Sequence, residues 1–182
     1  IGLLVRAYAG PGDEVLYSEH GFLMYPISAR TAGATPVAAP EANLTADVDG
    51  LLARVSERTR LLFLANPNNP TGSYISESEL RRLHKGLPDH VLLVVDAAYA
   101  EYVSAPDYPQ VSAMVESSAN GVMLRTCSKI HGLAALRLGW AYCPPEVVEV
   151  LTRVRGPFNV SQAAQASGSG AVRDRDHVTA SA

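Results

Sequence analysis

Three short stretches, "RLLFLA" at 60–65, "HVLLVV" at 90–95 and "GVMLRT" at 121–126, are apolar almost throughout, with no polar–apolar alternation. A strand with one face in water alternates with a period of two, so a run that is apolar on both faces must be covered on both. Between these runs lie segments with helical spacing. That combination predicts an α/β, three-layer sandwich with a mostly parallel central sheet. Each run also stops at polar residues: the loop from Asn66, the carboxylate Asp96, and the segment Thr126 to Lys129. If the strands are parallel, all three groups gather at the carboxyl edge of the sheet, where ligands bind in open α/β folds.

The remaining elements fit the same frame. "IGLLVRAYAG" has the apolar spacing of a helix, and Glu14 to Tyr17 reads as a short strand. "GFLMYPISARTAGA" is helical in pattern up to Gly33, and "TPVAAP" is a strand bounded by prolines. "TADVDGLLARVSERT" opens with Thr45 and acidic residues, as a helix N-terminus should. Ser76 and Glu79 form a capping box for a helix running to about Gly86. "RLGWAYC" is a fourth strand candidate, and "PPEVVEVLTRVR" a helix with proline at its start. "ASGSGA", at 166–171, is a weak helix or a loop. The chain starts at Ile1, with a helix already under way, and "DRDHVTASA" closes it without an evident stop; a longer protein, truncated here at both ends, is expected.

Composition excludes several classes of function. The net charge is −3 with no basic block, which argues against nucleic acid as a partner. No apolar run is long enough to span a bilayer, and no signal-peptide pattern is present. Two cysteines, Cys127 and Cys143, are too few for a disulfide framework and fit a reducing, cytoplasmic setting. The five histidines are scattered, so no metal set of recognisable spacing exists.

The polar residues at the strand ends each admit two readings. Asp96 either meets a cation or several hydrogen-bond donors, or caps the following "AAYAEY" as a helix. "NPNNPTG" packs three asparagines and two prolines into seven residues, either to aim side chains at a ligand or simply as a stiff turn. Lys129 is one of only two lysines, against thirteen arginines. Held in an apolar pocket, its amine would be a usable nucleophile for Schiff-base chemistry; on an open loop it would be a solvated charge. Arg137 precedes an apolar strand candidate, and its guanidinium would suit a phosphate if it faces the site; otherwise it too is a solvated charge on a loop. Lys85, beside Gly86 at a helix C-terminus, is structural.

Taken in order, "NPNNPTG", "DAAYAEY" and "TCSKIHGLAALRLGW" resemble motifs of the aspartate-aminotransferase-like (fold type I) pyridoxal-phosphate enzymes, nearest to the histidinol-phosphate aminotransferase branch. "EHGFLMY" and "RVRGPFNVS" are similar to that branch as well. The resemblance implies that residues 1–182 form the cofactor-binding large domain of a pyridoxal 5'-phosphate-dependent transferase, with an N-terminal arm and a small C-terminal domain lying outside. It implies Lys129 as the Schiff-base lysine and proton carrier, and Asp96 as the carboxylate that keeps the pyridine nitrogen protonated. Asn69 and Tyr99 match the groups bonded to the ring's phenolic oxygen. Thr126, Ser128 and Arg137 match the phosphate-binding set. Phe22 falls where an aromatic ring stacks on the cofactor, and is equally placed to be core. The implied partners are an amino donor, a 2-oxo acid acceptor and a second copy of the chain. The implied reaction moves an amino group from L-histidinol phosphate to 2-oxoglutarate. Aromatic aminotransferase, threonine-phosphate decarboxylase and a non-catalytic regulatory domain are the alternatives. Cys127, Ile130 and His131 depart from the aromatic residues that relatives often carry near the lysine.

Overall fold

The computed structural model describes all residues from 1 to 182. Its six-stranded sheet is built from β1 (Glu14–Ser18), β2 (Thr35–Ala39), β5 (Thr59–Ala65), β6 (Leu92–Asp96), β7 (Gly121–Thr126) and β8 (Gly139–Tyr142), in the order β2-β1-β5-β6-β7-β8. The first five are mutually parallel, and β8 joins β7 antiparallel at the edge. Two short strands, β3 (Glu41–Ala42) and β4 (Thr45–Ala46), pair as a separate ribbon.

The apolar runs are buried as their pattern requires. On one face of the sheet, Leu16, Leu62, Leu64, Leu93 and Val95 pack under three helices, α3 (Val48–Ala53), α4 (Glu77–Gly86) and α5 (Val111–Glu116). On the other, Val15, Leu61, Phe63, Leu92, Val94 and Val122 meet α1 (Gly2–Tyr8), α2 (Met24–Thr31) and α6 (Pro145–Val154). Successive residues of β5 and β6 thus alternate between two cores rather than between core and water. This is the three-layer sandwich. Two further helices, α7 (Gln162–Arg173) and α8 (Arg175–Ser181), follow at the C-terminal end.

Strand order reverses beside β1. The chain leaves β1 through α2 to β2 on one side, then returns through α3 to β5 on the other. Such a switch opens a crevice at the carboxyl ends of the strands, because the connections diverge to opposite faces.

Several local readings are corrected. The helix expected from Thr45 starts later: Thr45 and Ala46 pair with Glu41 and Ala42, and Asp47 is the cap, accepting from the amide of Asp49. Ser76 does cap α4, accepting from the amide of Glu79 at 3.4 Å. The Glu79 carboxylate turns instead to Arg82, so only half of the capping box forms. "AAYAEY" is not an α-helix but a turn followed by a single short 3-10 segment, Ala100–Tyr102. Residues 166–171 lie inside α7, where Gly168 is buried against Leu138. The final stretch does have a cap, since Asp174 accepts from the amide of His177.

Candidate active site

Parallel pairing places the polar strand ends side by side. Ala65 is in register with Asp96, and Asp96 with Leu124, so β5 and β6 end at one level and β7 runs two residues further at the same edge. The loop after β1 brings Phe22 to the same edge. A small cavity of about 50 Å³ is lined by Phe22, Pro67, Asn69, Asp96, Tyr99 and Lys129. It adjoins a larger one of about 560 Å³, whose walls include Phe22, Asp96, Thr126, Ser128, Lys129 and Arg137. Every site residue singled out from the sequence lines one cavity or the other.

Within "NPNNPTG" the three asparagines have different tasks. Asn66 is 1% exposed, and its side chain bonds both the amide and the carbonyl of Ile75, closing the loop onto itself. Asn68 donates to the carbonyl of His20 and to Thr71. Only Asn69 faces the cavity. Asn66 and Asn68 thus stiffen the turn, and Asn69 is the one asparagine of the loop on the cavity wall.

Asp96 is 9% exposed and accepts a hydrogen bond of 2.9 Å from the hydroxyl of Tyr25. Burial pushes its carboxyl above the ordinary value; the Tyr25 bond, the amide of Ala98 and Lys129 pull the other way. The carboxylate sits in the interior with one wall open to the cavity. No α-helix follows it to be capped, and its donors within the chain are the Tyr25 hydroxyl and the Ala98 amide.

Lys129 departs from the expectation of an enclosed amine. The residue is exposed, and its Nζ lies 4.9 Å from the centroid of the Tyr99 ring, over its face. The amine is thus held by an aromatic surface at the rim rather than by an apolar pocket. It shares the small cavity with Asn69 and Asp96, which places it beside the 66–72 loop and not in free water.

The turn after β7 is fixed by its own hydroxyl. Thr126 Oγ1 accepts from the amide of Ser128 at 3.1 Å and donates to the carbonyl of Leu138 at 3.4 Å. Thr126 therefore shapes the phosphate-side wall while its oxygen is engaged within the turn. Arg137 is exposed and adopts a left-handed backbone, φ 52° and ψ 38°, which is uncommon for a residue with a side chain. Its guanidinium donates to the carbonyl of Ala134 at 2.5 Å. Such outliers persist where the surroundings hold them, often at functional sites.

Two features were missed in the sequence. One is Tyr25, whose partner is 71 positions away. The other is the ion pair between Arg125 and Glu101, which ties β7 to the segment carrying Tyr99, with Arg125 also lying over the ring of Trp140 at 5.8 Å. Neither has a local signal, because each depends on strand order.

The donor set suits the cofactor that the motifs imply. An exposed amine can condense with an aldehyde, a buried carboxylate can face a protonated ring nitrogen, and Asn69 and Tyr99 offer donors on the adjoining wall. Residues 1–182 match the family described as aminotransferase class I and II. The chain belongs to that family. Among curated relatives, this aminotransferase chain is 69% identical over 172 residues to histidinol-phosphate aminotransferase of Rhodospirillum centenum, covering 94% of this chain and 48% of that protein. It is 60% identical to the protein of the same name in Paramagnetospirillum magneticum, over 96% of this chain and 48% of that one. A crystal structure of histidinol-phosphate aminotransferase from Sinorhizobium meliloti, in complex with pyridoxal-5'-phosphate, superposes with a TM-score of 0.92 at 30% identity, covering 98% of this chain and 48% of the other. The chain spans about half the length of the curated relatives it matches.

Proposed function

We propose that the whole protein is a pyridoxal 5'-phosphate-dependent aminotransferase, moving an amino group between L-histidinol phosphate and 2-oxoglutarate, and that residues 1–182 supply its cofactor-binding large domain. The observation that carries this reading is the meeting of Lys129, Asp96, Tyr99, Asn69 and Phe22 around one cavity at the sheet edge. Identity of 60–69% to proteins named histidinol-phosphate aminotransferase supports the choice of substrate.

When bound, the cofactor supplies an aldehyde for the amine and a ring that accepts charge from the substrate carbon. The chain's own residues do the rest. Lys129 would hold the cofactor through its Nζ and, once free, that amine would carry the proton taken from the substrate carbon. Asp96 would keep a proton on the ring nitrogen, a role that suits a carboxylate placed in an apolar interior. Asn69 and Tyr99 donate toward the ring's oxygen substituent. Ser128 and Arg137 provide donor and charge for the phosphate, with Thr126 setting the turn that presents them. Phe22 offers a flat apolar face against the ring.

A homodimer fits the exposed apolar side chains at Leu23, just before α2, at Met24 and Ile27 on α2, and at Phe158, which is 97% exposed. No helix is long and apolar enough to cross a membrane.

Half-reaction spectroscopy tests the substrate. The loaded whole protein is mixed with histidinol phosphate, phenylalanine or threonine phosphate in separate runs. Rapid bleaching of the cofactor band by histidinol phosphate, at least about a hundredfold faster than by the others, is the expected result. Faster bleaching by phenylalanine, or carbon dioxide release from threonine phosphate, would replace the reading.

A further inference from the structure

We propose that Tyr25 is a positioning residue, whose buried hydroxyl holds Oδ2 of Asp96 and fixes the orientation in which that carboxylate lines the cofactor cavity. This rests on the reading of Asp96 as the partner of the ring nitrogen.

Tyr25 is fully buried in an aromatic nest. Its ring stacks on Phe63 at 4.7 Å and 11°, meets Phe22 edge-on at 5.9 Å, and lies 6.4 Å from Tyr17. Phenylalanine would fill the same space. A hydroxyl in such a place costs free energy unless it is bonded, and the bond it makes is to Asp96 at 2.9 Å. Packing explains the ring, and the carboxylate explains the oxygen.

The placement also links two parts of the site. Tyr25 and Phe22 are three residues apart at the start of α2, joined by a hydrogen bond from the Tyr25 amide to the Phe22 carbonyl at 2.9 Å. One turn of chain therefore sets both the flat face that lines the cavity and the brace behind its carboxylate. The groups facing Asp96 are the hydroxyl of Tyr25 from α2, Lys129 after β7, and Tyr108 from the segment before α5. Among the influences that oppose the burial of Asp96, the Tyr25 bond is the largest.

The test uses the whole protein, with the Asp96 carboxyl followed by carbon NMR of carboxyl-labelled aspartate and assigned through Asp96→Asn. In the cofactor-free protein, Tyr25→Phe should move the Asp96 titration upward by about one pH unit or more, because the anion loses a donor. Fluorotyrosine at position 25, a stronger donor, should move it downward. In the loaded protein, Tyr25→Phe should lower kcat about tenfold with KM for the amine unchanged. A titration unmoved by either replacement overturns the inference, as does a loss confined to thermal stability. Cofactor binding that Asp96→Asn leaves intact would instead overturn the reading on which the inference stands, and the two failures are told apart by the cofactor-free titration.

Discussion

Asp96 ends an apolar strand at 9% exposure, so its charge is carried against the grain of the fold. Burial raises the carboxyl above its ordinary value, which means that the native state holds the proton where the unfolded chain has released it. Stability from this group is present in full below the unfolded value and declines as pH rises through the native one. Asparagine has a similar shape, can accept from Tyr25, and cannot ionise. In the cofactor-free protein at neutral pH, Asp96→Asn is therefore expected to raise the urea midpoint while lowering turnover of the loaded enzyme by about a hundredfold or more. Parallel denaturation and rate measurements check both signs.

At the scale of elements, the sheet is locked by side chains as well as by its ladder. Glu14 opens β1 and reaches across to the segment entering β5. It accepts from Ser56 and Arg58 at 2.5 Å each, and from Thr59 at 3.4 Å. The Ser56 bond, then the Arg58 guanidinium, hold its carboxyl below the ordinary value against the effect of burial. Arg58 is largely exposed, so its share is screened by solvent. A lowered carboxyl stabilises the fold above its unfolded value and ceases to do so as pH falls through the native one. Glu14→Gln should cost about 1–3 kcal/mol at pH 7, with the difference from the parent closing in acid. Urea titrations from pH 7 to pH 3 measure this directly. None of the Glu14 network is visible in the sequence, because its partners lie more than forty positions away. The strands themselves were legible, since continuous apolar runs admit few placements. The ribbon at Glu41–Ala46 was not, because its two-residue strands carry no periodicity and its acidic neighbours imitate a helix start.

Across the whole molecule, three polar groups after three apolar runs were readable in the sequence, and the parallel topology brings them to one edge of the sheet. What the sequence misjudged was enclosure: Lys129 and Arg137 are exposed, and the wall beside them includes exposed Gly139 and Trp140. The chain matches about half the length of its relatives, and the cavity has an open side. Residues 1–182 alone should therefore bind pyridoxal phosphate at least about tenfold more weakly than the whole protein, the equivalent of one lost charge-assisted hydrogen bond. Equal affinity by fluorescence titration would contradict this. The account as a whole turns on the amine at the rim of the cavity reaching the cofactor's aldehyde. Reducing the loaded whole protein with borohydride and mapping the modified peptide by mass spectrometry measures that bond. The account predicts the added mass on Lys129, and a label on Lys85, or on no lysine of residues 1–182, would contradict it.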